Sequence, residues 1–149
     1  MIAQFTLSAD GKLRGGADPG EGLASLERWA PSAVGCNCSE GPASIESSLA
    51  LLLSAGKRPV IAQPSAGLPS QRGEQMQYPW PPKDFGAWAA WAFEAGVHAV
   101  GGCCGTTPDH IREVRAAAGE HQRRRAMAST PHAAKPRSAA ELTNLKDAH

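Results

Sequence analysis

The sequence predicts an α/β fold of parallel β/α units, about four strands and four helices. Three observations carry this. Short apolar or β-branched runs alternate with longer stretches whose apolar residues recur at helical spacing. Proline stands where helices would begin, at Pro19, Pro42 and Pro108, and glycine where they would stop, at Gly56 and Gly96. The stretch Pro59-Val60-Ile61-Ala62-Gln63-Pro64 is apolar on both alternating sets of positions, as strands covered on both faces are. Strand–helix alternation implies a parallel sheet with right-handed crossovers. Four units form either a small open sheet or half of a barrel. A closed eight-stranded barrel takes about 250 residues, so this 149-residue chain is expected not to close one alone.

The elements follow in order. Ile2 to Leu7 reads as a strand, and Ser8 to Lys12 as a turn centred on Asp10-Gly11. Asp18 and Pro19 are the cap and first residue of a helix reaching about Trp29, with Leu23, Leu26 and Trp29 or Ala30 on its apolar face; Pro31 ends it. Ala33 to Cys38 is a second strand. The helix opened by Pro42 carries Ile45, Leu49, Leu52 and Leu53 as one stripe. The third strand, Pro59 to Pro64, leads into a long loop to about Pro82 that contains Tyr78 and Trp80; loops of this length are usually functional or mobile. A helix from about Lys83 presents Phe85, Trp88, Trp91 or Ala92, and Ala95 on one face. Val97 to Gly101 is the fourth strand, and Thr107 and Pro108 start a last helix ending near Ala118. From Gly119 the pattern dissolves. Residues 119–149 are expected to be a low-complexity, disordered tail, with a weak helical stretch at Ser138 to Leu145 and a solvated basic run at Arg123-Arg124-Arg125.

Bulk properties exclude some classes of function. The formal net charge is +1, so no global field points to nucleic acid or an anionic membrane surface. No apolar stretch approaches the roughly 20 residues of a membrane span, and Met1 to Gly11 lacks a basic, apolar leader. A cytoplasmic protein in a reducing environment is the expectation.

The chemistry gathers at the cysteines: Cys36 and Cys38 in one cluster, Cys103 and Cys104 in another. Each cluster lies at the carboxyl end of an expected strand. In a parallel sheet all such ends share one rim, where α/β proteins place their sites. The two clusters are therefore expected to meet. Clustered thiols can hold a soft metal ion, cycle between dithiol and disulfide, or simply pack as small hydrophobes. A ring closed between the neighbours Cys103 and Cys104 would be strained, and no Cys-x-x-Cys is present, which disfavours the redox reading. His98 stands at the amino end of the fourth strand, away from the rim, and reads as structural; His110, in the first turn of the last helix, reads as a partly exposed helical histidine.

Three segments carry a resemblance. Gly35-Cys36-Asn37-Cys38-Ser39-Glu40-Gly41-Pro42 resembles the Gly-x-Asn-Cys segment of the homocysteine S-methyltransferase family. Gly101-Gly102-Cys103-Cys104-Gly105-Thr106-Thr107-Pro108-Asp109-His110-Ile111 is similar to its Gly-Cys-Cys-Gly signature. Gln63-Pro64-Ser65-Ala66-Gly67-Leu68-Pro69 is similar to its Pro-Asn-Ala-Gly loop, with Ser65 in place of Asn. The resemblance covers about residues 1–118 and implies the C-terminal half of a (β/α)8 TIM barrel. It implies Zn2+ as cofactor, held by Cys38, Cys103 and Cys104, with Cys36 at a position usually aliphatic in the family. It implies homocysteine and a methyl donor as partners: the zinc-bound thiolate of homocysteine would attack the methyl group and give methionine. The first four strands of such a barrel, with the residues that hold the amino-acid end of homocysteine, are expected to be missing. Both sheet edges would then stay open. Pairing as a homodimer, pairing with a complementing N-terminal half-barrel, and a catalytically silent zinc-binding fragment are the alternatives this leaves.

Overall fold

A computed structural model describes residues 1–8 and 10–129. Four strands, β1 (Ile2–Phe5), β2 (Ala33–Cys38), β3 (Val60–Pro64) and β6 (Ala99–Val100), form one sheet in the order β1-β2-β3-β6. Every pairing in it is parallel. Four helices connect and follow the strands: α1 (Pro19–Glu27), α2 (Glu46–Ala55), α3 (Pro82–Glu94) and α4 (Pro108–Ser129). The α/β class and the parallel β/α order are as expected, and four such units are consistent with half of a TIM barrel. β1 and β6 are the sheet's edges.

The local signals act as their chemistry dictates. The Asp18 carboxylate accepts from the Gly20 amide at 2.7 Å, with Pro19 opening α1. Gly56 takes the left-handed conformation, φ 63°, that closes α2. Pro42 opens a 3-10 turn, Pro42–Ile45, from which α2 continues. Ile45, Leu49 and Leu52 of the expected stripe are buried. They meet Val34, Cys36, Val60 and Ala62 of the central strands and Phe85, Trp88, Ala89 and Ala92 of α3 in one core. Between the covering helices, the Trp88 indole N–H donates to Glu46 Oε1 at 3.1 Å. At Gly35 a side chain would strike the Ile61 carbonyl of the neighbouring strand, so the centre of the sheet accepts only glycine there.

Several expectations need correcting. α1 stops at Glu27, and Trp29 beyond it is exposed; none of its residues is fully buried. The long loop holds a small antiparallel hairpin, β4 (Ser70–Arg72) with β5 (Gln75–Gln77). Its strands are polar and exposed, so no apolar alternation announces them. In α3 Ala92 rather than Trp91 faces the core, and Ala95, expected on the same face, is exposed.

The last helix does not end near Ala118. It continues to Ser129, so residues 119–129 are helical where disorder was expected. The extension is held by side chains: Glu120 pairs with Arg123 at 2.8 Å and with Arg124 at 3.5 Å. From α3, Glu94 lies 3.5 Å from Arg124, and Phe93 stacks on His121. The expected segment Ser138 to Leu145 lies outside the described residues. Among the described residues no helix is long and apolar enough to cross a membrane.

Candidate metal centre

The parallel register carries Cys38 and the Cys103-Cys104 pair to the same rim. β2 pairs with β3 so that Cys38 stands opposite Pro64, and β6 continues past Val100 into the cysteine loop. The short segment after β3 then joins the two. The Ser65 amide donates to the Cys38 carbonyl at 2.9 Å, Cys103 N–H donates to the Pro64 carbonyl at 2.9 Å, and the Ala66 amide donates to the Cys104 carbonyl at 2.8 Å.

Three sulfurs converge as a result. Cys38 Sγ lies 3.7 Å from Cys104 Sγ, across 66 positions of sequence. Cys103 Sγ lies 3.8 Å from Cys104 Sγ, and all three sulfurs fall within 4.8 Å of one another. A tetrahedral zinc site with Zn–S bonds of about 2.3 Å separates its sulfurs by about 3.8 Å. Two of the three edges already have that length. Three soft donors at this spacing fit a zinc-type ion, and among the described residues this is the cluster that could hold a metal.

The backbone at the cluster is sharply bent. Cys38 and Ser39 are both left-handed, at φ 60° and 63°, a conformation costing non-glycine residues about 1–3 kcal/mol each. The turn they make is held on both sides: Ser65 Oγ donates to the Ser39 carbonyl at 2.8 Å, and the Leu7 amide donates to Ser39 Oγ at 3.0 Å. Opposite, Thr106 Oγ1 donates to the Cys103 carbonyl at 2.7 Å. Gly105 has φ 76°, and a Cβ there would fall on the Tyr78 ring.

The electrostatics follow from crowding. Burial first, then hydrogen bonds from Cys104 and Cys103 and their charge, push the Cys38 thiol up to about 11. Without a cation nearby, Cys38 therefore keeps its proton near neutral pH. Cys36 behaves differently. It is fully buried in the core, burial alone pushes its thiol up to about 12, and it stands outside the cluster.

The histidines separate in the same way. His98 Nδ1 accepts from the Val60 amide at 3.1 Å, at the amino end of β3 and away from the rim. His110 is 5% exposed rather than partly exposed. Its Nδ1 accepts from both the amide and the hydroxyl of Thr107, at 3.1 and 2.9 Å, and its Nε2 meets the Trp80 carbonyl at 2.9 Å. The Thr107-x-x-His110 spacing is that of a capping box with histidine in the place of glutamate. That signal stood in the sequence. Its Trp80 partner, brought by the loop, did not.

The open sheet of parallel units, with cysteines converging on its carboxyl rim, defines the class, and the family comparison agrees. The family model described as homocysteine S-methyltransferase matches residues 1–118, and the chain belongs to that family. It is 41% identical over 118 residues to a methionine synthase of Mycobacterium leprae (strain TN), and 38% identical over 118 residues to one of Mycobacterium tuberculosis (strain ATCC 25618 / H37Rv). Each alignment covers 78% of this chain and 10% of the relative, so the chain spans about a tenth of the length of these relatives.

Proposed function

We propose that this chain is the zinc-holding, thiol-activating half of a homocysteine S-methyltransferase barrel. The observation that carries the reading is the meeting of Cys38, Cys103 and Cys104 within 4.8 Å of one another, two of the three sulfur separations matching the edge of a tetrahedral zinc site. Each of the three would offer one sulfur to the ion as a thiolate. Three protein ligands are the pattern of catalytic rather than closed structural zinc sites. When bound, the ion keeps a thiol substrate in its thiolate form near neutral pH, which makes that sulfur nucleophilic toward a methyl group.

The chain's own residues supply position. Ser65 and Ala66 hold the two cysteine segments at their carbonyls, so the sulfurs are arranged before an ion arrives. Tyr78 lies against Gly105 beside Cys104, and Trp80 lies against Gly41 and Gly67, so the loop after β3 walls one side of the rim. Cys36 stays a core residue. Homocysteine is the proposed substrate, by the family to which the chain belongs. A methyl donor is the second partner, its class left to the rest of the site.

The edges β1 and β6 are where we place the remaining strands of the barrel, from a complementing half or a second copy. Without them the same geometry describes a zinc-binding platform with no methyl transfer. Metal analysis of the purified chain tests the centre. About one zinc per chain, lost in Cys38→Ser and in Cys104→Ser, supports it, and no zinc in the parent chain refutes it. Homocysteine methylation measured with and without an added N-terminal half-barrel then separates enzyme from platform.

A further inference from the structure

The geometry points to His110 as a positioning residue that closes a ring of hydrogen bonds around the Cys103-Cys104 pair and so keeps both sulfurs in place for Cys38; this rests on the zinc reading above. The ring can be traced bond by bond. The Cys104 carbonyl accepts from the Ala66 amide at 2.8 Å, and the Ala66 carbonyl accepts from the Trp80 amide at 3.1 Å. The Trp80 carbonyl meets His110 Nε2 at 2.9 Å, and His110 Nδ1 meets Thr107 at 3.1 and 2.9 Å. Thr106, the next residue back, donates its hydroxyl at 2.7 Å and its amide at 3.2 Å to the Cys103 carbonyl. The circuit leaves from one cysteine and returns to the other.

The partners fix the chemical form of the imidazole. A backbone amide only donates, so Nδ1, facing the Thr107 N–H, carries no proton. A backbone carbonyl only accepts, so Nε2, facing Trp80, carries one. His110 is thus a neutral Nε2–H tautomer with both nitrogens engaged. Its ring is fixed further by an edge-on contact with Phe85, centroids 5.4 Å apart at 87°. A buried group with one donor and one acceptor on opposite sides joins two loops that share no strand: the wall at Trp80 and the cysteine turn. Remove it, and the turn keeps its ties to Pro64 and Ala66 but loses the closure on its far side.

The test uses three variants. His110→Phe keeps the volume and the ring contact and removes both bonds. His110→Gln returns one acceptor and one N–H donor. Val114→Ala removes core packing on the same helix and touches none of the circuit. Two readouts are taken. The first is zinc affinity by chelator competition. The second needs no metal: the rate at which diamide forms the Cys38–Cys104 disulfide, mapped by mass spectrometry. In that reaction the two thiols lose two protons and two electrons, and the diazene is reduced to its hydrazine.

His110→Phe is expected to weaken zinc binding about tenfold or more, the scale of outer-shell losses, and to slow disulfide formation. His110→Gln is expected to recover part of both, and Val114→Ala to leave both near the parent values despite its lower melting temperature. Should His110→Phe fail to fold, Thr107→Val, which removes one of the bonds, is expected to shift both readouts in the same direction. Parent-like values in His110→Phe, or equal losses in Val114→Ala, would overturn the ring. If the parent binds no zinc yet the disulfide rates still separate Phe from Gln, the ring stands and the metal function falls. If the parent binds zinc and neither readout responds to His110→Phe, the reverse holds.

Discussion

The Ser65 amide donates to the Cys38 carbonyl at 2.9 Å, tying the end of β2 to the loop that leaves β3. The same residue's hydroxyl donates to the Ser39 carbonyl and accepts from the Gly67 amide at 3.2 Å. Ser65 is therefore the strut of the left-handed turn at Cys38, and it is 2% exposed. Ser65→Ala would leave two groups at a buried position unpaired, at a cost of about 1–3 kcal/mol. Urea unfolding should register that loss together with weakened zinc binding, and Ser65→Asn should restore part of it. An unchanged unfolding midpoint in Ser65→Ala would show that the hydroxyl holds nothing.

Gly105 supports the other side of the site. A methyl group there meets the Tyr78 ring, and its φ of 76° is strained for any side chain. Gly105→Ala is expected to weaken zinc binding more than it lowers the melting temperature, since the turn it distorts is local. Adding Tyr78→Ala should relieve the collision but not the backbone strain, so the double variant recovers only in part. Full recovery would mean that the backbone conformation at 105 carries no cost.

The four thiols should separate by reactivity. In metal-free protein near pH 8, iodoacetamide is expected to modify exposed Cys104 fastest and buried Cys36 slowest. Saturating zinc should protect Cys38, Cys103 and Cys104 and leave Cys36 as it was. The same burial gives a pH dependence. The Cys36 thiol is raised in the fold from near 9 to about 12, so its contribution is intact below pH 9 and is lost as pH rises toward 12. Base unfolding of the metal-free chain followed by circular dichroism checks this. Early alkylation of Cys36 would contradict its place in the core.

Glu94 ties the far end of α4 to α3 through Arg124. Exposed pairs of this kind contribute about 0–1 kcal/mol. Glu94→Ala should thus barely move global stability while raising amide exchange across residues 119–129. Unaltered exchange there would place the hold on the end of the helix elsewhere, in the Phe93–His121 stack.

What was legible in the sequence was whatever rests on local chemistry or on strand polarity. The Asp18 cap, the Gly56 stop and the stripe from Ile45 are short-range rules. The convergence of the two cysteine clusters needed only the rule that parallel strands end on one side, and the family resemblance chose Cys38 over Cys36. What escaped depends on distant partners or on polar segments without a pattern. His110 is buried because the Trp80 carbonyl, 30 positions earlier, is there to receive it. The β4–β5 hairpin has no apolar face to reveal it. Residues 119–129 look like tail until Glu94 and Phe93 of α3 are set beside them.

The sulfurs come from the ends of β2 and β6 with β3 between them, so an ion at the rim would clamp β2, β3 and β6 as one cooperative block. The first unit, β1 with α1, lies outside that clamp, and α1 buries no residue fully. Metal loading would therefore harden most of the sheet and leave one end soft. Unfolding would begin at β1 and α1, and their amides would exchange through a low-energy opening that metal does not suppress.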